Sequence, residues 1–206
     1  MKRLLYIQAS PRGERSASTH VAHAYIEALR KKGPVDVDTL DVWKDNLPSF
    51  DGDALDAKYA GLSGQPLTDA QKNVWKAIEA LGQRFRDADE IVISVPMWNF
   101  GVPYRLKQLV DLVTQKDVTF LFGENGFDGM LKKQSALLIC ARGLAYGEGG
   151  LSEDQFDYQR SYLTAWLNFL GISDVRSMTV NKTLLGPGEA EASLAKGVAE
   201  AQALAA

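Results

Sequence analysis

Short apolar runs alternate along this chain with longer stretches of helical periodicity, and that alternation restricts it to β-α units wound around a mainly parallel sheet. Leu4 to Gln8, Ile91 to Val95 and Ala136 to Cys140 are nearly continuous in apolar side chains, as strands covered on both faces require. Val35 to Leu40 alternates strictly and Val175 to Val180 more loosely, which assigns both to sheet edges. Between them, Ala22, Tyr25, Ile26 and Leu29 keep the spacing of one helix face, as do Leu106, Leu109, Val110 and Val113. Thr68 to Gln71 reads as a capping box opening a helix whose stripe is Val74, Ile78, Leu81 and Phe85. A further stripe, Leu163, Trp166, Leu167 and Leu170, is closed by Gly171, and a last helix starts at Pro187.

The expectation is an α/β three-layer sandwich in a single domain, residues 1–206, with a five-stranded parallel sheet in the order 2-1-3-4-5. This is the flavodoxin-like arrangement, which binds ligands where the strand order reverses, beside strands 1 and 3. A length of 206 residues suits one domain, and 46% hydrophobic with 24% charged residues suits a soluble globular one. Twenty-three Lys and Arg against 26 Asp and Glu give a net charge of −3, which argues against nucleic acid as a partner. The lone Cys140 lies in an apolar strand and reads as a buried thiol in a reducing compartment. His20 and His23 are too few for a histidine-rich metal site. The apolar run after Arg3 stops at Gln8, too short for an export signal, and no run approaches membrane-spanning length. The expectation is therefore a cytoplasmic protein without a membrane partner.

Three loops carry candidate chemistry. Ala9 to Ser18 follows the first strand with one glycine, so the dinucleotide motif Gly-x-Gly-x-x-Gly is missing, and Walker A and Gly-x-Ser-x-Gly patterns are absent elsewhere. In its place Ser10, Ser16, the Ala17 amide and Ser18 can surround a phosphate at a helix N-terminus, with Arg12 or Arg15 adding charge. Taken alone, Ser16 or Ser18 is equally readable as a simple helix cap. The second loop, Pro96, Met97, Trp98, Asn99, Phe100, Gly101, Val102, Pro103, is stiffened by proline at both ends and suits a planar heteroaromatic ring; as a bland turn packed in the core it would have to bury the Asn99 amide. The third, Ala141 to Gly150, holds four glycines that permit close backbone approach, with Arg142 and Tyr146 as reactive-looking side chains. All three follow strands 1, 3 and 4 and so converge on one sheet edge. A ligand with a monophosphate at one end and a polar planar ring at the other is implied, and flavin mononucleotide (FMN) meets both demands.

These residues carry a resemblance that spans nearly the whole chain. Ser10, Ser16-Ala17-Ser18, Met97-Trp98-Asn99-Phe100 and Arg142-Gly143, together with Val118-Thr119-Phe120, Glu124-Asn125-Gly126 and Phe169-Leu170-Gly171-Ile172, resemble the motifs of the FMN-dependent NADH-azoreductase and quinone reductase family. The resemblance implies that Ser10 and Ser16 to Ser18 hold the FMN phosphate, that Met97 to Phe100 lie along the isoalloxazine with Pro96 also binding the cofactor, and that Ala141, Arg142, Gly143 and Leu144 line its pyrimidine side. It also implies a homodimer with active sites between subunits, where Phe120, Phe122, Phe127 and Tyr146 line the substrate pocket. Trp98 stands where the family commonly has Tyr, and Ala141 and Leu144 replace a frequent Ser and Gly.

The expected reaction is a ping-pong transfer of two electrons from NADH or NADPH through FMN to a quinone, an azo compound or another small aromatic acceptor, with no side chain needed as acid or base. An FMN-binding electron carrier without its own substrate site is the alternative, favoured by a strongly acidic surface that a charge of −3 does not supply. A phosphoacceptor receiver domain of the same topology needs acidic residues at the end of strand 1, where Gln8-Ala9-Ser10 stands.

Overall fold

A computed structural model of the chain describes residues 1–124, 126–147 and 152–206; Asn125, Glu148, Gly149 and Gly150 of the motifs above lie outside the described residues. Five parallel strands form the central sheet: β1 (Lys2–Gln8), β2 (Val35–Asp41), β3 (Glu90–Pro96), β6 (Ser135–Ala141) and β7 (Asp174–Val180), in the order β2-β1-β3-β6-β7. This is the expected topology, with the fourth and fifth sheet strands renumbered because a two-stranded hairpin, β4 (Phe120–Gly123) and β5 (Gly126–Gly129), precedes them. The central strands β1, β3 and β6 are buried almost end to end, whereas β2 alternates as an edge strand does.

Helices cover both faces. On one, α1 (Ala17–Lys32) and α7 (Pro187–Leu204) bury Val21, Tyr25, Ile26 and Ala201 against Leu4, Tyr6, Leu137 and Val180. Gly197 permits this approach, since a Cβ there would stand 2.9 Å from Val180 and 3.1 Å from Val21. On the other face, α3 (Asp69–Asp87), α4 (Tyr104–Val113) and α6 (Tyr158–Phe169) bury Ile78, Phe85, Leu106, Leu109, Leu163 and Leu167 against Ile7, Ile91 and Ile93. Two helices with weaker sequence patterns, α2 (Gly52–Leu62) and the four-residue α5 (Glu153–Phe156), complete the α-helices among the described residues. The capping box of α3 closes as read: the Thr68 amide donates to Gln71 Oε1 at 2.9 Å, and the Gln71 amide donates to Thr68 Oγ1 at 3.3 Å.

The ends of the sheet differ in kind. At the N-terminal end, buried Glu90 accepts from Tyr25 Oη at 2.8 Å and pairs with Lys2 at 2.7 Å and Arg176 at 2.8 Å, so its charge is compensated. At the C-terminal end, main-chain bonds fix where each loop departs. Ala9 N–H donates to Ser94 O at 2.9 Å, Met97 N–H to Ala141 O at 2.8 Å, and Arg142 N–H to Val180 O at 2.8 Å. Met130 N–H to Thr119 O, at 2.9 Å, closes the base of the hairpin, and Leu131 N–H to Leu170 O, at 2.8 Å, fastens it to the end of α6. There Gly129 lies so close to the 170–171 turn that a Cβ would meet Leu170 backbone at 2.2 Å.

Candidate functional site

A parallel sheet carries its ligands at the carboxyl ends of its strands, and at that end a cavity of about 400 Å3 opens. The first loop contributes Ser10, Arg12, Arg15, Ser16 and Ala17, the second Pro96, Met97 and Trp98, and the third Ala141 and Gly143. Three segments separated in sequence therefore share one rim.

At one end of the cavity the chain passes through a short 3-10 turn, Gly13–Arg15, into α1. Ser16 occupies the N-cap position, yet its side chain makes no capping bond and lies 3.1 Å, Oγ to Oγ, from Ser18. The simple-cap reading of Ser16 is thereby set aside. The first turn of α1 has no acidic residue, so its amides and positive dipole end face no carboxylate of their own. Ser10, Ser16 and Ser18 are each nearly buried, whereas Arg12, Arg15 and His20 are exposed at the mouth. Beneath this loop Tyr6 Oη and Ser94 Oγ bond at 3.0 Å, and burial pushes the Tyr6 phenol up to about 12.

The second loop folds back as a tight turn. Trp98 N–H donates to Gly101 O at 3.2 Å and Gly101 N–H to Trp98 O at 2.9 Å, around Asn99 (φ 46°) and Phe100 (φ 69°). Two successive residues in the left-handed region define a type I′ turn, an unfavourable conformation for Phe that the surroundings must enforce. They do so through Tyr158 N–H, which donates to Phe100 O at 3.1 Å, and through the Phe156 ring, 5.2 Å from that of Phe100. Asn99 is exposed and its amide is not buried, contrary to the expectation for a core turn; its role in the fold is to accept the left-handed backbone. Trp98 is held at the cavity by Trp43, whose ring centre is 5.6 Å away and whose Nε1 donates to Ala9 O at 3.0 Å.

The third loop corrects the expectation for Arg142. Its guanidinium is turned away from the cavity into a buried network, paired with Asp157 and, at 3.0 Å, with Glu153, and it lies 5.0 Å from the Tyr146 ring. A cation matched by two carboxylates is not a free charge for a ligand. Bonding to Arg142 holds the Glu153 carboxyl below its ordinary value, while burial pushes the Cys140 thiol up to about 12. Tyr146 Oη reaches Met97 Sδ at 3.0 Å and braces the second loop. Gly143 packs under Leu184, where a Cβ would meet Cδ1 at 2.5 Å, and Leu144 is exposed.

Phe120, Phe122 and Phe127 do not line this cavity. They cluster on the β4–β5 hairpin with Phe169, ring centres 4.7 to 5.6 Å apart, beside a separate cavity. A fourth segment was missed from sequence: Thr183 and Leu184 after β7, with Ala190, Glu191 and Leu194 of α7, close the first cavity. The signal was available, because this loop leaves the carboxyl end of the fifth sheet strand at Gly186-Pro187.

Comparison with known proteins places this geometry. A family model described as a flavodoxin-like fold matches residues 2–205. An FMN-dependent NADH:quinone oxidoreductase 3 of Pseudomonas fluorescens is 44% identical, over 100% of this chain and 96% of its own length. The chain belongs to the family of FMN-dependent NADH:quinone oxidoreductases. Another member, from Pseudomonas syringae pv. tomato, is 48% identical over 98% of this chain and 97% of its own. Among solved structures, an FMN-dependent NADH-azoreductase from Bacillus anthracis in complex with FMN superposes with a TM-score of 0.86 at 27% identity, covering 100% of both chains. Among the described residues no helix is long and apolar enough to cross a membrane.

Proposed function

We propose that this chain is an FMN-dependent oxidoreductase that passes two electrons from NADH to quinones and azo compounds. The observation that carries the reading is the single rim on which Ser10 and Ser16 at the start of α1 meet Pro96 to Trp98 and Ala141 to Gly143. The residues fit the cofactor: hydroxyls and uncapped amides suit its phosphate, and a stiffened aromatic loop suits its ring. Bound FMN supplies the hydride chemistry, accepting from NADH and donating to the second substrate.

The chain's own residues bind and orient. Ser10, Ser16 and Ser18 hydroxyls with the Ala17 amide hold the phosphate, and Arg12 and Arg15 at the mouth add positive charge. Pro96, Met97, Trp98 and the Asn99-Phe100 turn flank the ring; the two central amides of a type I′ turn have no partner within the turn and face outward as donors. Ala141, the Arg142 backbone, Gly143 and Leu144 bound the opposite side. The Arg142 guanidinium acts at one remove, anchoring its loop to α6.

The active form is a homodimer in which the hairpin of one protomer, with Phe120, Phe122 and Phe127, and Tyr146 line the acceptor pocket. Supporting it, Leu121, Phe122 and Phe127 are 45%, 55% and 63% exposed, an apolar surface suited to burial against another chain. A single-domain enzyme of the reducing cytoplasm accords with a free, buried Cys140.

The test is anaerobic mixing of the FMN-loaded protein with NADH, followed by a quinone. The yellow absorbance is expected to bleach on the first addition and return on the second. Absorbance that NADH leaves unchanged would indicate a carrier and reject the enzyme.

A further inference from the structure

The first and second loops part where the ladder between β1 and β3 ends. Ala9 N–H to Ser94 O is its last rung, and among the described residues no main-chain hydrogen bond joins the loop that follows Ala9 to the loop that follows Pro96. One side chain reaches both. Trp43, two residues past the end of β2, donates from Nε1 to Ala9 O at 3.0 Å, immediately before Ser10. Its ring centre lies 5.6 Å from that of Trp98 and 5.2 Å, edge-on, from that of Tyr104. Trp98 and Tyr104 bracket the second loop, so the indole meets that loop at both of its ends. Trp43 is half-buried and lines no part of the first cavity.

The segment that carries the indole is tied on two sides. Towards β1, Val42 N–H donates to Gln8 O at 3.1 Å, and the Asp41 carboxylate accepts from Trp43 N–H at 3.0 Å and from Gln8 Nε2 at 3.2 Å. Towards α4, Arg105 donates from Nε to Val42 O at 2.8 Å and from Nη2 to Asp45 O at 3.3 Å. A side chain fixed in this way cannot follow one loop without constraining the other. A ligand gripped at two ends gains from both only while their separation is held, because a gap of the wrong length lets one grip exclude the other. We infer that Trp43 is a positioning residue that sets the distance between the phosphate cradle and the aromatic loop, acting through Nε1 on the first and through its ring on the second. The inference rests on the proposed function, which assigns these loops to the two ends of one FMN molecule.

The experiment titrates the full chain, freed of flavin, with FMN and with riboflavin, which has the same ring and no phosphate, following flavin fluorescence. Trp43→Phe keeps an aromatic ring beside Trp98 and removes the donor to Ala9 O. Its FMN affinity is expected to fall about tenfold while its riboflavin affinity stays within about twofold of wild type. Arg105→Met, which frees the segment carrying the indole, is expected to show the same asymmetry, and it decides the matter should thermal melts show that Trp43→Phe does not fold. A double-mutant cycle reads the coupling with FMN alone: Ser16→Ala with Ser18→Ala is expected to cost about a hundredfold in the wild-type background and only about tenfold in Trp43→Phe, whose cradle is already displaced. Parallel loss of both flavins, loss of neither, or an additive cycle would overturn the inference. Failure of the wild-type chain to bind FMN would overturn the proposed function and the inference with it, whereas normal binding with an unaltered preference for FMN over riboflavin in both variants defeats the role of Trp43 alone.

Discussion

Replacing Asp157 by Asn removes the charge facing Arg142 while retaining an oxygen that can accept from Arg160 N–H at the start of α6, because Asn caps helices about as well as Asp. Both partners are nearly sealed from water, the Arg142 side chain 2% exposed and that of Asp157 3%. Removing one member of a buried pair costs roughly 3–5 kcal/mol, since the survivor keeps its desolvation penalty without compensation. Glu153 still reaches Arg142 but is 43% exposed. Exposed pairs contribute only about 0–1 kcal/mol, so the expected loss is ~3 kcal/mol. For a chain of this size that corresponds to a fall in Tm of about 6–12 °C. Urea unfolding and thermal melts measure it, with Glu153→Gln as the exposed control, expected to lose less than ~1 kcal/mol. The consequence extends to the site. Asp157 ties the loop after β6 to α6, whose Tyr158 N–H holds Phe100 O, so the Asn variant is expected to release FMN faster at temperatures where it remains folded. Equal, small losses in both variants would show that the pair is no buried clamp and would refute the reasoning.

Ser16→Ala combined with Ser18→Ala removes two hydroxyls assigned to the phosphate; at about 1.5 kcal/mol or more for each bond to a charged group, FMN affinity is expected to fall roughly a hundredfold in a fluorescence titration. Cys140, fully buried with its thiol pushed up to about 12, is expected to resist alkylation in the native protein and to react once unfolded, as mass spectrometry would report. Burial raises the Tyr6 and Tyr25 phenols to about 12 from an ordinary 10. Raised values favour the neutral form in the folded state, so their contribution is intact below about pH 10 and is lost as pH climbs from there towards 12. The ultraviolet phenolate signal of the native protein is expected to fall at least two tyrosines short of that of the denatured chain in this window, with Tyr162, also raised by burial, adding to the deficit. The bonding of Glu153 to Arg142 has the opposite sign: its carboxyl is lowered, so that contribution is present above the ordinary carboxylate range and fades as pH falls through the depressed value.

What could be read from the sequence divides along a physical line. The five sheet strands were legible because burial on both faces leaves a continuous apolar run in β1, β3 and β6, and burial on one leaves alternation in β2. The capping box was legible because both of its bonds join residues three apart. The location of the loops followed from topology alone, since every parallel strand releases its loop at the same end. Orientation within those loops was another matter. Whether Arg142 turns toward a ligand or away is decided by Asp157, fifteen residues further on, across a segment with no periodicity to mark it. The hairpin escaped notice because each of its strands is four residues long and glycine-bounded, below the length at which alternation is informative. Asn99 and Phe100 show the same limit more sharply. Their left-handed backbone has no signature in Asn-Phe as it would in Asn-Gly, and it persists because α6 bonds to it. Features held by main-chain bonds between neighbouring strands were therefore readable, and those held by groups arriving from a distant helix, whether the Asp157 carboxylate or the Tyr158 amide, were not. Arg142 and Phe100 both belong to the second group and both are secured at the start of α6, so the rim of the first cavity depends on a helix that contributes no residue to its lining.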